Sequence, residues 1–493
     1  MSDSSSTGAE RAGAARCANA APAESVCAAF DVVIVGAGVS GLYAAFKLLG
    51  VRSVLVLERQ PRLGGRVVTE KHYGHILEYG PMRFEPDLQP LFAQLVRELE
   101  LPLTQFAPYT CPRTLPDLNS LSFEEVKALH ESPGMAPAFA LLQHGLRLVL
   151  GEQWDIAGDD IRDQSRDARK GWLRKHGLFQ GRLLHAHGLW DTLAHVLSKG
   201  ALDFLQTKGT FYHALSLNPN AADTISFMLD ILATQSRGLF SIQGGSARLV
   251  EALHARVRDA GADVRLGAGV AALRHGSDGR VVVELEDGAQ VTASHALLTC
   301  SKHGLKGICG LPAPLRPLLD TVMVARLFKV FVILESPPFG EHDTPAPNFG
   351  ADKLPCREIH YAYNAANNTG MVMVYGDEPS LNYWAAFDTA GGVDGLPQSN
   401  ANPHLKNHLL FYLRQIFPGA RSCFSILHYG LLDWSRDHTG VHLWRPGACS
   451  GAVCQRLAAG EEGVHVCGET YSTYQGFIEG GLRMVEQTLT GLD

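Results

Sequence analysis

The chain has 493 residues, a length typical of roughly two to four domains and sufficient to bury a large core. Apolar residues make up 46% and charged residues 19%, which is a globular composition and excludes collagen, coiled coil or disorder as the main architecture. Lys and Arg number 43 against 50 Asp and Glu, so the formal charge is −7. Because no basic run is available to neutralise phosphates, we expect no nucleic-acid partner.

Residues 1–29 are small and polar with acidic interruptions, and they are predicted to form a disordered tail. They lack the apolar core of ~7–15 residues that a signal peptide needs, and no apolar stretch of the chain reaches the ~18 residues that span a bilayer. The ten cysteines are scattered without a CxxC pair, which predicts reduced thiols and no zinc site. We therefore expect a cytoplasmic protein with no membrane partner and no metal.

Ordered structure is expected to begin near Phe30 with a strand–helix–strand unit. An apolar run over Val32–Val35 predicts the first strand, and a glycine-rich turn follows it. Leu42, Ala45 and Leu48 then mark the inner face of a helix, before a second apolar strand. This order is typical of a parallel-sheet nucleotide fold.

The remaining pattern predicts two discontinuous domains and an insert. Residues 30–85, 241–304 and 455–493 alternate strands and helices and are assigned to a doubly wound nucleotide-binding domain. Residues 86–240 show helical patterning and form the predicted insert. Residues 305–454 carry longer strands and an amphipathic helix, which predict a substrate domain with a mixed sheet. The fold class is thus α/β with an α+β substrate domain, and the site is expected between the domains.

The sharpest motif is GAGVSG, from Gly36 to Gly41. Gly36 permits a tight turn, Gly38 lets the backbone approach a pyrophosphate, and Gly41 lets helix and strand pack closely. Glu58 ends the next strand 22 residues after Gly36, where an acid can bind a ribose hydroxyl. Strand, turn, helix and acid together predict a dinucleotide site.

The loop after this acid contains paired glycines, Gly64 and Gly65, followed by Arg66. Open backbone amides and a forked guanidinium suit a phosphate. An ordinary exposed Gly-Gly loop is the alternative interpretation.

Four segments carry a family resemblance: GAGVSGL, LERQPRLGGRV, EYGPMRF and CGETYSTYQGFIEGGL. In this order they resemble the flavin-containing amine oxidase family, and GPMRF is similar to its L-amino acid oxidase branch, which also includes tryptophan oxidases of indole-pigment biosynthesis. The likeness runs from Asp31 to Leu489 and leaves the helical insert poorly matched. It implies FAD as the cofactor. Because WRPGACSG around Cys449 matches poorly the flavin-linked cysteine segment of monoamine oxidases, we expect the FAD to be non-covalent.

The resemblance also implies roles for individual residues. Glu58 would hold the adenosine ribose and Arg66 the phosphate, while Val270 would contact the adenine edge. Glu469 would reach the ribityl or phosphate region. The predicted cofactor-binding residues are Gly36, Gly38, Ser40, Gly41, Glu58, Arg59, Gly64, Gly65, Arg66, Met82, Arg83, Val270, Gly468, Glu469, Gly476, Phe477 and Ile478.

Arg83 directly follows a Gly-Pro-Met turn in apolar surroundings, and its planar fork matches a carboxylate. The resemblance places it over the flavin as the clamp for a substrate α-carboxylate, with Gly476 and Phe477 as further substrate contacts. The alternative is an ion pair with Glu78 or Glu85.

Tyr375 is the second carboxylate donor that the resemblance implies. A core position on its strand is the alternative for this side chain, and Tyr361 and Tyr363 on a neighbouring strand are rivals for the role.

Lys329 is the catalytic candidate. It is the one residue that is not apolar among the eight from Leu327 to Leu334. A buried lysine indicates function, and in the resembling family it holds a water against the flavin. An edge strand with Lys329 in solvent is the alternative.

A set of aromatic residues and one histidine either wall the substrate pocket or belong to the core. They are Trp434, His442, Trp444, Tyr474 and Phe477.

The resemblance implies oxidative deamination of an L-amino acid, with oxygen as electron acceptor and with ammonium and hydrogen peroxide as products. Three alternatives remain open: decarboxylation to an amide, as in tryptophan-2-monooxygenase; oxidation of amines or polyamines; and a flavin-fold binding scaffold. The preferred side chain and the oligomeric state, including a homodimer, also remain open.

Overall fold

A computed structural model describes residues 28–106, 114–157, 166–208, 217–234, 238–342, 348–349, 356, 358–377, 380–387, 395–418, 424–434 and 440–492. Of the predicted disordered tail, residues 1–27 lie outside these ranges. Ala28 and Ala29 begin the first strand.

Helices and strands are numbered here in chain order. The α-helices are α1 (Val39–Leu48), α2 (Pro90–Glu98), α3 (Phe123–Glu131), α4 (Pro137–Leu150), α5 (Trp154–Ala157), α6 (Arg166–His176), α7 (Leu189–Ala194), α8 (Lys199–Lys208), α9 (Ala221–Thr234), α10 (Ala247–Asp259), α11 (Lys302–Lys306), α12 (Ser380–Ala385), α13 (Pro403–Ile416), α14 (Ser450–Ala459) and α15 (Ile478–Leu489).

The strands are β1 (Ala28–Val35), β2 (Val54–Leu57), β3 (Thr69–His72), β4 (His75–Glu78), β5 (Leu103–Phe106), β6 (Leu178–Phe179), β7 (Arg182–Leu183), β8 (Leu239–Ile242), β9 (Asp263–Arg265), β10 (Val270–His275), β11 (Val281–Leu285), β12 (Gln290–Leu298), β13 (Val322–Ala325), β14 (Leu327–Glu335), β15 (Asn348–Phe349), β16 (Glu358–Asn364), β17 (Thr369–Asp377), β18 (Gln398–Ser399), β19 (Ser425–Asp433), β20 (Val441–Trp444) and β21 (Val464–Val466).

The described chain divides into two units, and both are discontinuous in sequence. The first unit comprises the described residues up to Gly65, then Leu249–Thr321, and the described residues from Val453 on. The second unit comprises Arg66–Arg248 and Val322–Ala452. Residues 66–85, which were predicted to belong to the nucleotide-binding domain, therefore belong to the second unit. The described helices of the predicted insert, residues 86–240, belong to the same unit.

The first unit is built on a parallel-rich sheet. Strands β9, β2, β1, β12 and β21 are parallel neighbours, and β10 and β11 extend the sheet by antiparallel pairing. The four residues Val32–Val35 at the end of β1 are buried, and α1 buries Leu42, Ala45 and Leu48 as predicted. A run that is apolar on both faces is typical of a parallel strand covered on both sides.

The second unit contains a six-stranded sheet in the order β15-β16-β17-β14-β19-β18. All of its described pairs are antiparallel, although the sequence analysis expected a mixed sheet. For β16 and β17 the physical reason is the short turn between Asn364 and Thr369, because a turn of a few residues joins only antiparallel strands.

The two faces of this sheet are covered by different structures. One face packs against α12 and α13 through residues such as Trp384 and Leu409. The other face packs against Leu77 and Tyr79, which belong to or directly follow the β3–β4 hairpin. A separate apolar core around Phe139, within the same unit, joins helices α4 to α9.

Two further expectations concern membranes and cysteines. None of the described helices combines the length and apolar character needed to cross a membrane. Cys309 is disulfide-bonded, which corrects the expectation that every cysteine is reduced. Described cysteines that carry thiols are Cys300, Cys356, Cys449, Cys454 and Cys467.

Candidate active site

The glycine turn of the first unit lies between β1 and α1 and has the geometry that its sequence predicts. Gly36 has a φ of +108°, which side chains rarely adopt. A Cβ on Gly41 would stand 1.9 Å from the carbonyl oxygen of Gly36, so only glycine allows this close approach. A Cβ on Gly38 would meet no described atom within 4 Å, and no described side chain caps the helix that begins there. The turn thus leaves open space in front of a helix N-terminus.

Glu58 and the paired glycines border the same turn. The Glu58 carboxylate accepts hydrogen bonds from the backbone N–H of Ala37 at 2.7 Å and from that of Gln60 at 2.9 Å. Gly64 bridges to Gly38, and a Cβ on Gly65 would lie 3.5 Å from the Gly38 Cα. The predicted acid therefore holds the turn and the loop together, in addition to any contact with a ligand.

The remaining cofactor candidates of this unit lie on three segments. A Cβ on Gly269, next to Val270, would stand 3.1 Å from the Arg59 side chain. The Glu469 carboxylate accepts a hydrogen bond from the N–H of Gly476 at 2.6 Å. Phe477 precedes Ile478, the first residue of α15.

Helix α15 meets the glycine turn at close range. A Cβ on Gly481 would lie 2.3 Å from Ser40 Oγ, and one on Gly480 would lie 2.1 Å from the carbonyl oxygen of Tyr474. Gly468 follows shortly after β21 and has a φ of +146°. The open space at Gly38 and the backbone donors around it fit the phosphates of a dinucleotide.

Lys329 lies in the second unit, on the central strand β14, which is paired on both sides. Its side chain is 3% exposed, so the edge-strand alternative is wrong. The Nζ donates hydrogen bonds to the carbonyl oxygens of Glu78 at 2.8 Å and Gly80 at 2.6 Å. Burial lowers the pKa of Lys329 to about 7, against the opposing effect of the nearby Glu78. The same burial raises the pKa of Glu78.

Tyr375 faces Lys329 across the β14–β17 pair, and the Lys329 Nζ lies 4.9 Å from its ring centroid. Side chains alternate between the faces of a strand. Tyr361 and Tyr363 accordingly pack on the opposite face of the sheet, against the core that contains Phe339. Strand alternation thus separates both rivals from the Lys329 side.

Arg83 lies on the Lys329 side of the sheet, and its side chain is 12% exposed. Its Nη2 donates to both carboxylate oxygens of Glu358, at 3.2 and 3.3 Å, and its guanidinium stands 5.5 Å from the ring centroid of Phe106. The structure therefore pairs Arg83 with Glu358, a carboxylate that the sequence-based alternatives did not include. Glu358 is fully buried and also contacts His360 Nε2 at 2.7 Å.

The ionisable groups beside Arg83 shift one another's pKa values. Burial acts to raise the pKa of Glu358, but Arg83 and His360 outweigh it, so the pKa of Glu358 lies below its usual value. Burial lowers the pKa of His360, although Glu358 opposes that shift. Glu358 is consequently an ionised carboxylate beside Arg83 at neutral pH.

The segment from Arg66 to Arg83 is anchored within the second unit. A Cβ on Gly80 would stand 2.0 Å from the carbonyl oxygen of Arg66, whose side chain donates to the Gly440 carbonyl at 3.0 Å. Ser246 Oγ donates to the Pro81 carbonyl at 2.9 Å. Met82 packs in the core beneath the hairpin.

The aromatic candidates are distributed between the two units. Trp434 and Trp444 are buried in the second unit, and Trp434 Nε1 donates to the Tyr79 carbonyl at 2.8 Å. His442 is also buried there. Tyr474 and Phe477 contact each other in the first unit, with centroids 5.3 Å apart.

Glu358 and His360 were missed by the sequence analysis. The available signal was an acid and a histidine spaced two apart in REIHYAYN, a segment otherwise patterned as a buried strand. Their partner Arg83 lies 275 residues away in sequence, and no local pattern connects positions at that separation.

Comparisons with known proteins agree with this geometry. Residues 39–484 match the family described as flavin containing amine oxidoreductase. An L-amino-acid oxidase of Protobothrops flavoviridis is 25% identical over 386 residues, which cover 74% of this chain and 70% of that protein. One of Naja atra is 24% identical over 381 residues, with the same shares covered.

Two solved structures show the same fold at low identity. A putrescine oxidase bound to putrescine has a TM-score of 0.68 and 19% identity, covering 94% of this chain and 98% of its own. Cyclohexylamine oxidase from Brevibacterium oxydans IH-35A has a TM-score of 0.66 and 18% identity, over the same shares. Since the family match spans far more than half of the sequence, the chain belongs to the flavin-containing amine oxidoreductase family and is a flavin-dependent oxidoreductase.

Proposed function

We propose that this chain oxidatively deaminates L-amino acids with FAD, giving 2-oxo acids, ammonium and hydrogen peroxide. The observation that carries the proposal is Arg83, a largely buried guanidinium on the same sheet face as Lys329 and Tyr375. A buried fork of this kind suits a substrate carboxylate, which simple amines lack. The relatives named L-amino-acid oxidase support the same choice.

FAD would be held non-covalently by the first unit. The turn from Gly36 to Gly41 offers backbone donors to the pyrophosphate, and Glu58 offers a carboxylate to the ribose. When bound, the flavin supplies the redox chemistry by accepting the hydride that leaves the substrate carbon.

The second unit would bind and orient the substrate. Because a guanidinium carries five N–H donors, Arg83 can hold Glu358 on one edge and offer another edge to a second carboxylate. The Tyr375 hydroxyl would donate to the same carboxylate. Lys329, with a pKa of about 7, is populated in both protonation states at neutral pH and is suited to hold or release a proton beside the substrate.

Amine oxidation is the second candidate, and Glu358 favours it. An ionised, fully buried carboxylate on the Lys329 face can attract the ammonium group of a cationic amine. In that case Arg83 would serve to keep Glu358 ionised, and no substrate carboxylate would be needed.

Two variants with a substrate panel separate these candidates. For deamination, the parent enzyme produces peroxide from L-amino acids and oxidises tyrosine far better than tyramine. Arg83→Ala then loses on the order of 2–5 kcal/mol of transition-state stabilisation, or ~30- to several-thousand-fold in kcat/KM, because the substrate carboxylate has no charged partner. Glu358→Gln keeps the shape of the side chain and should stay within about tenfold of the parent enzyme on L-amino acids.

The opposite pattern supports amine oxidation. Tyramine turnover equal to that of tyrosine, abolished by Glu358→Gln, would transfer the assignment to amines. If Arg83→Ala kept the parental kcat/KM on amino acids, Arg83 would not be the clamp for the substrate carboxylate. Ammonium together with peroxide, against an amide together with carbon dioxide, distinguishes the oxidase from a monooxygenase.

The flavin linkage has a separate test. Acid precipitation should leave FAD in a yellow supernatant, because no covalent bond retains it. Flavin that stays with the precipitated polypeptide would contradict non-covalent binding.

A further inference from the structure

Three potential metal ligands converge on the sheet of the second unit, outside the cluster around Lys329. Glu70 and His72 are two residues apart on β3, so their side chains project from the same side of the strand. His428 comes from β19, where it pairs with Ile333. The ligand atoms of the three side chains all lie within 4.8 Å of one another.

The separations suit a small divalent cation. Glu70 Oε2 lies 3.2 Å from His72 Nε2 and 3.6 Å from His428 Nε2. Tetrahedral Zn²⁺ with ligand bonds of about 2.0–2.1 Å sets neighbouring ligand atoms roughly 3.3 Å apart. The two imidazole rings stack with centroids 3.8 Å apart, so one ring has to tilt for both nitrogens to face an ion. His72, whose side chain is 35% exposed, has the freedom to do so.

His428 supplies an independent observation. Its side chain is 2% exposed, and its Nε2 makes no hydrogen bond with any residue that the structure describes. The Glu70 carboxylate at 3.6 Å is its nearby polar group, and that separation is longer than a hydrogen bond. A buried nitrogen that is only loosely paired costs free energy, which a bound ion would reduce. Neighbouring side chains already orient the ligands, since Ser399 Oγ donates to Glu70 Oε2 at 3.1 Å and Asn400 Nδ2 lies 3.4 Å from His428 Nδ1.

We propose that Glu70, His72 and His428 form a site for a divalent transition metal, with Zn²⁺ as the best match. Two imidazoles and one carboxylate are ligands that Zn²⁺ prefers, and a solvent molecule would complete the coordination. On binding, His428 coordinates through Nε2 and carries its proton on Nδ1. Asn400 Nδ2, which now faces Nδ1, then has to move away from the ring, because Asn400 Oδ1 remains the acceptor for the Tyr429 N–H at 3.0 Å.

The ion would fasten the β3–β4 hairpin to the six-stranded sheet. The hairpin ends at Glu78, whose carbonyl oxygen accepts a hydrogen bond from Lys329. We therefore expect the bound ion to stabilise the hairpin and to hold the Glu78 carbonyl, one of the two carbonyl partners of Lys329, in place. The metal itself takes no part in the oxidation.

Direct metal binding tests the site without relying on activity. The flavin-loaded, full-length protein is stripped with a chelator, titrated with ZnCl₂ in a calorimeter and analysed for zinc after gel filtration. We expect saturable binding by the parent protein and a loss of roughly 10–100-fold or more in affinity for Glu70→Gln and His72→Gln. His72→Gln alters a partly exposed hairpin position, so it is expected to fold even if His428→Gln does not.

A matched control and a gain-of-affinity variant complete the design. His130→Gln removes an exposed histidine of α3 and should leave zinc binding unchanged. Asn400→Asp keeps an oxygen for the Tyr429 N–H and places a carboxylate against His428 Nδ1, which should tighten binding. The proposal is overturned if the parent binds no zinc, if His72→Gln binds it as well as the parent does, or if Asn400→Asp fails to tighten binding.

Discussion

Lys329 is the third residue of a nine-residue strand whose first eight residues are buried, and its position is explained by the chemistry around its nitrogen. Lys329 gives two hydrogen bonds to the carbonyl oxygens of Glu78 and Gly80 and lies against the Tyr375 ring. Burial lowers its pKa to about 7, so the folded protein stabilises the neutral amine relative to the charged form. A side chain held in this state is suited to proton movement near neutral pH.

Replacing this lysine tests the role directly. Lys329→Met is expected to retain flavin and substrate binding but to slow either reduction of the enzyme by substrate or its reaction with oxygen, because the one ionisable group among the buried residues of this strand is lost. Stopped-flow measurements of the two half-reactions provide the readout. Val330→Met, on the opposite face of the same strand, serves as the control, and unchanged rates in both half-reactions of Lys329→Met would reduce the residue to a structural one.

The alternation of strand faces leads to a second prediction. Tyr375→Phe should lower kcat/KM for L-amino acids by roughly 10–150-fold, since a hydrogen bond to a charged carboxylate contributes about 1.5–3 kcal/mol. Tyr361→Phe, on the other face, should stay within about twofold. Steady-state kinetics on both variants decide the matter. Equal effects of the two substitutions would show that Tyr375 has no special position.

At the scale of elements, the turn between β1 and α1 contains one glycine that chain packing requires and one that leaves room for a ligand. A methyl group on Gly41 would meet the Gly36 carbonyl oxygen at 1.9 Å, whereas one on Gly38 would meet no described atom within 4 Å. The glycine at Gly41 is therefore required by the chain itself. The glycine at Gly38 has no such steric requirement, which is consistent with space reserved for a phosphate.

We expect Gly41→Ala to destabilise the protein by about 1–3 kcal/mol and to weaken FAD binding. Gly38→Ala should fold with nearly parental stability, yet lose FAD affinity, because its methyl group occupies the space that the pyrophosphate approaches. Urea unfolding of the flavin-free proteins and FAD titration measure the two effects. Parental FAD affinity in Gly38→Ala would argue against a phosphate at this turn.

For the whole molecule, buried histidines predict how stability depends on pH. In the first unit His295 Nδ1 lies 3.1 Å from His465 Nε2, and burial lowers the pKa of both rings. In the second unit burial likewise lowers the pKa of His75 and His360. Below pH 6.5 the unfolded chain therefore binds protons that the folded chain excludes, so stability present above that pH is lost as the pH falls.

We accordingly expect the free energy of unfolding, measured by urea denaturation, to decrease between pH 7.5 and pH 5.5, by at most about 1.4 kcal/mol per pH unit for each proton taken up on unfolding. His465→Asn should flatten this dependence, because the pair then holds one titrating ring fewer. His130→Gln, at an exposed position, is the control. A midpoint that stays constant over this pH range in the parent protein would contradict the buried neutral state.

The sequence by itself determined the features that depend on nearby residues. The glycine turn, its helix and the acid at Glu58 lie within a few dozen positions, where strand and helix periods are legible and the steric needs of glycine are local. The apolar run around Lys329 likewise indicated burial before any strand pairing was known. Arg83 was singled out for the same reason, since its turn and apolar neighbours are adjacent in the chain.

Only the tertiary structure decided which distant groups meet. Arg83 pairs with Glu358 across 275 positions, and Glu70 approaches His428 although the two are far apart in sequence. Both contacts arise because the β3–β4 hairpin and the residues after it pack on the face of the sheet that contains β16 and β19. Tyr375 was separated from Tyr361 by the face of the sheet that each occupies, which follows from register. Register and ion-pair choice depend on the packing of the whole unit, and a local pattern of residues carries no information about either.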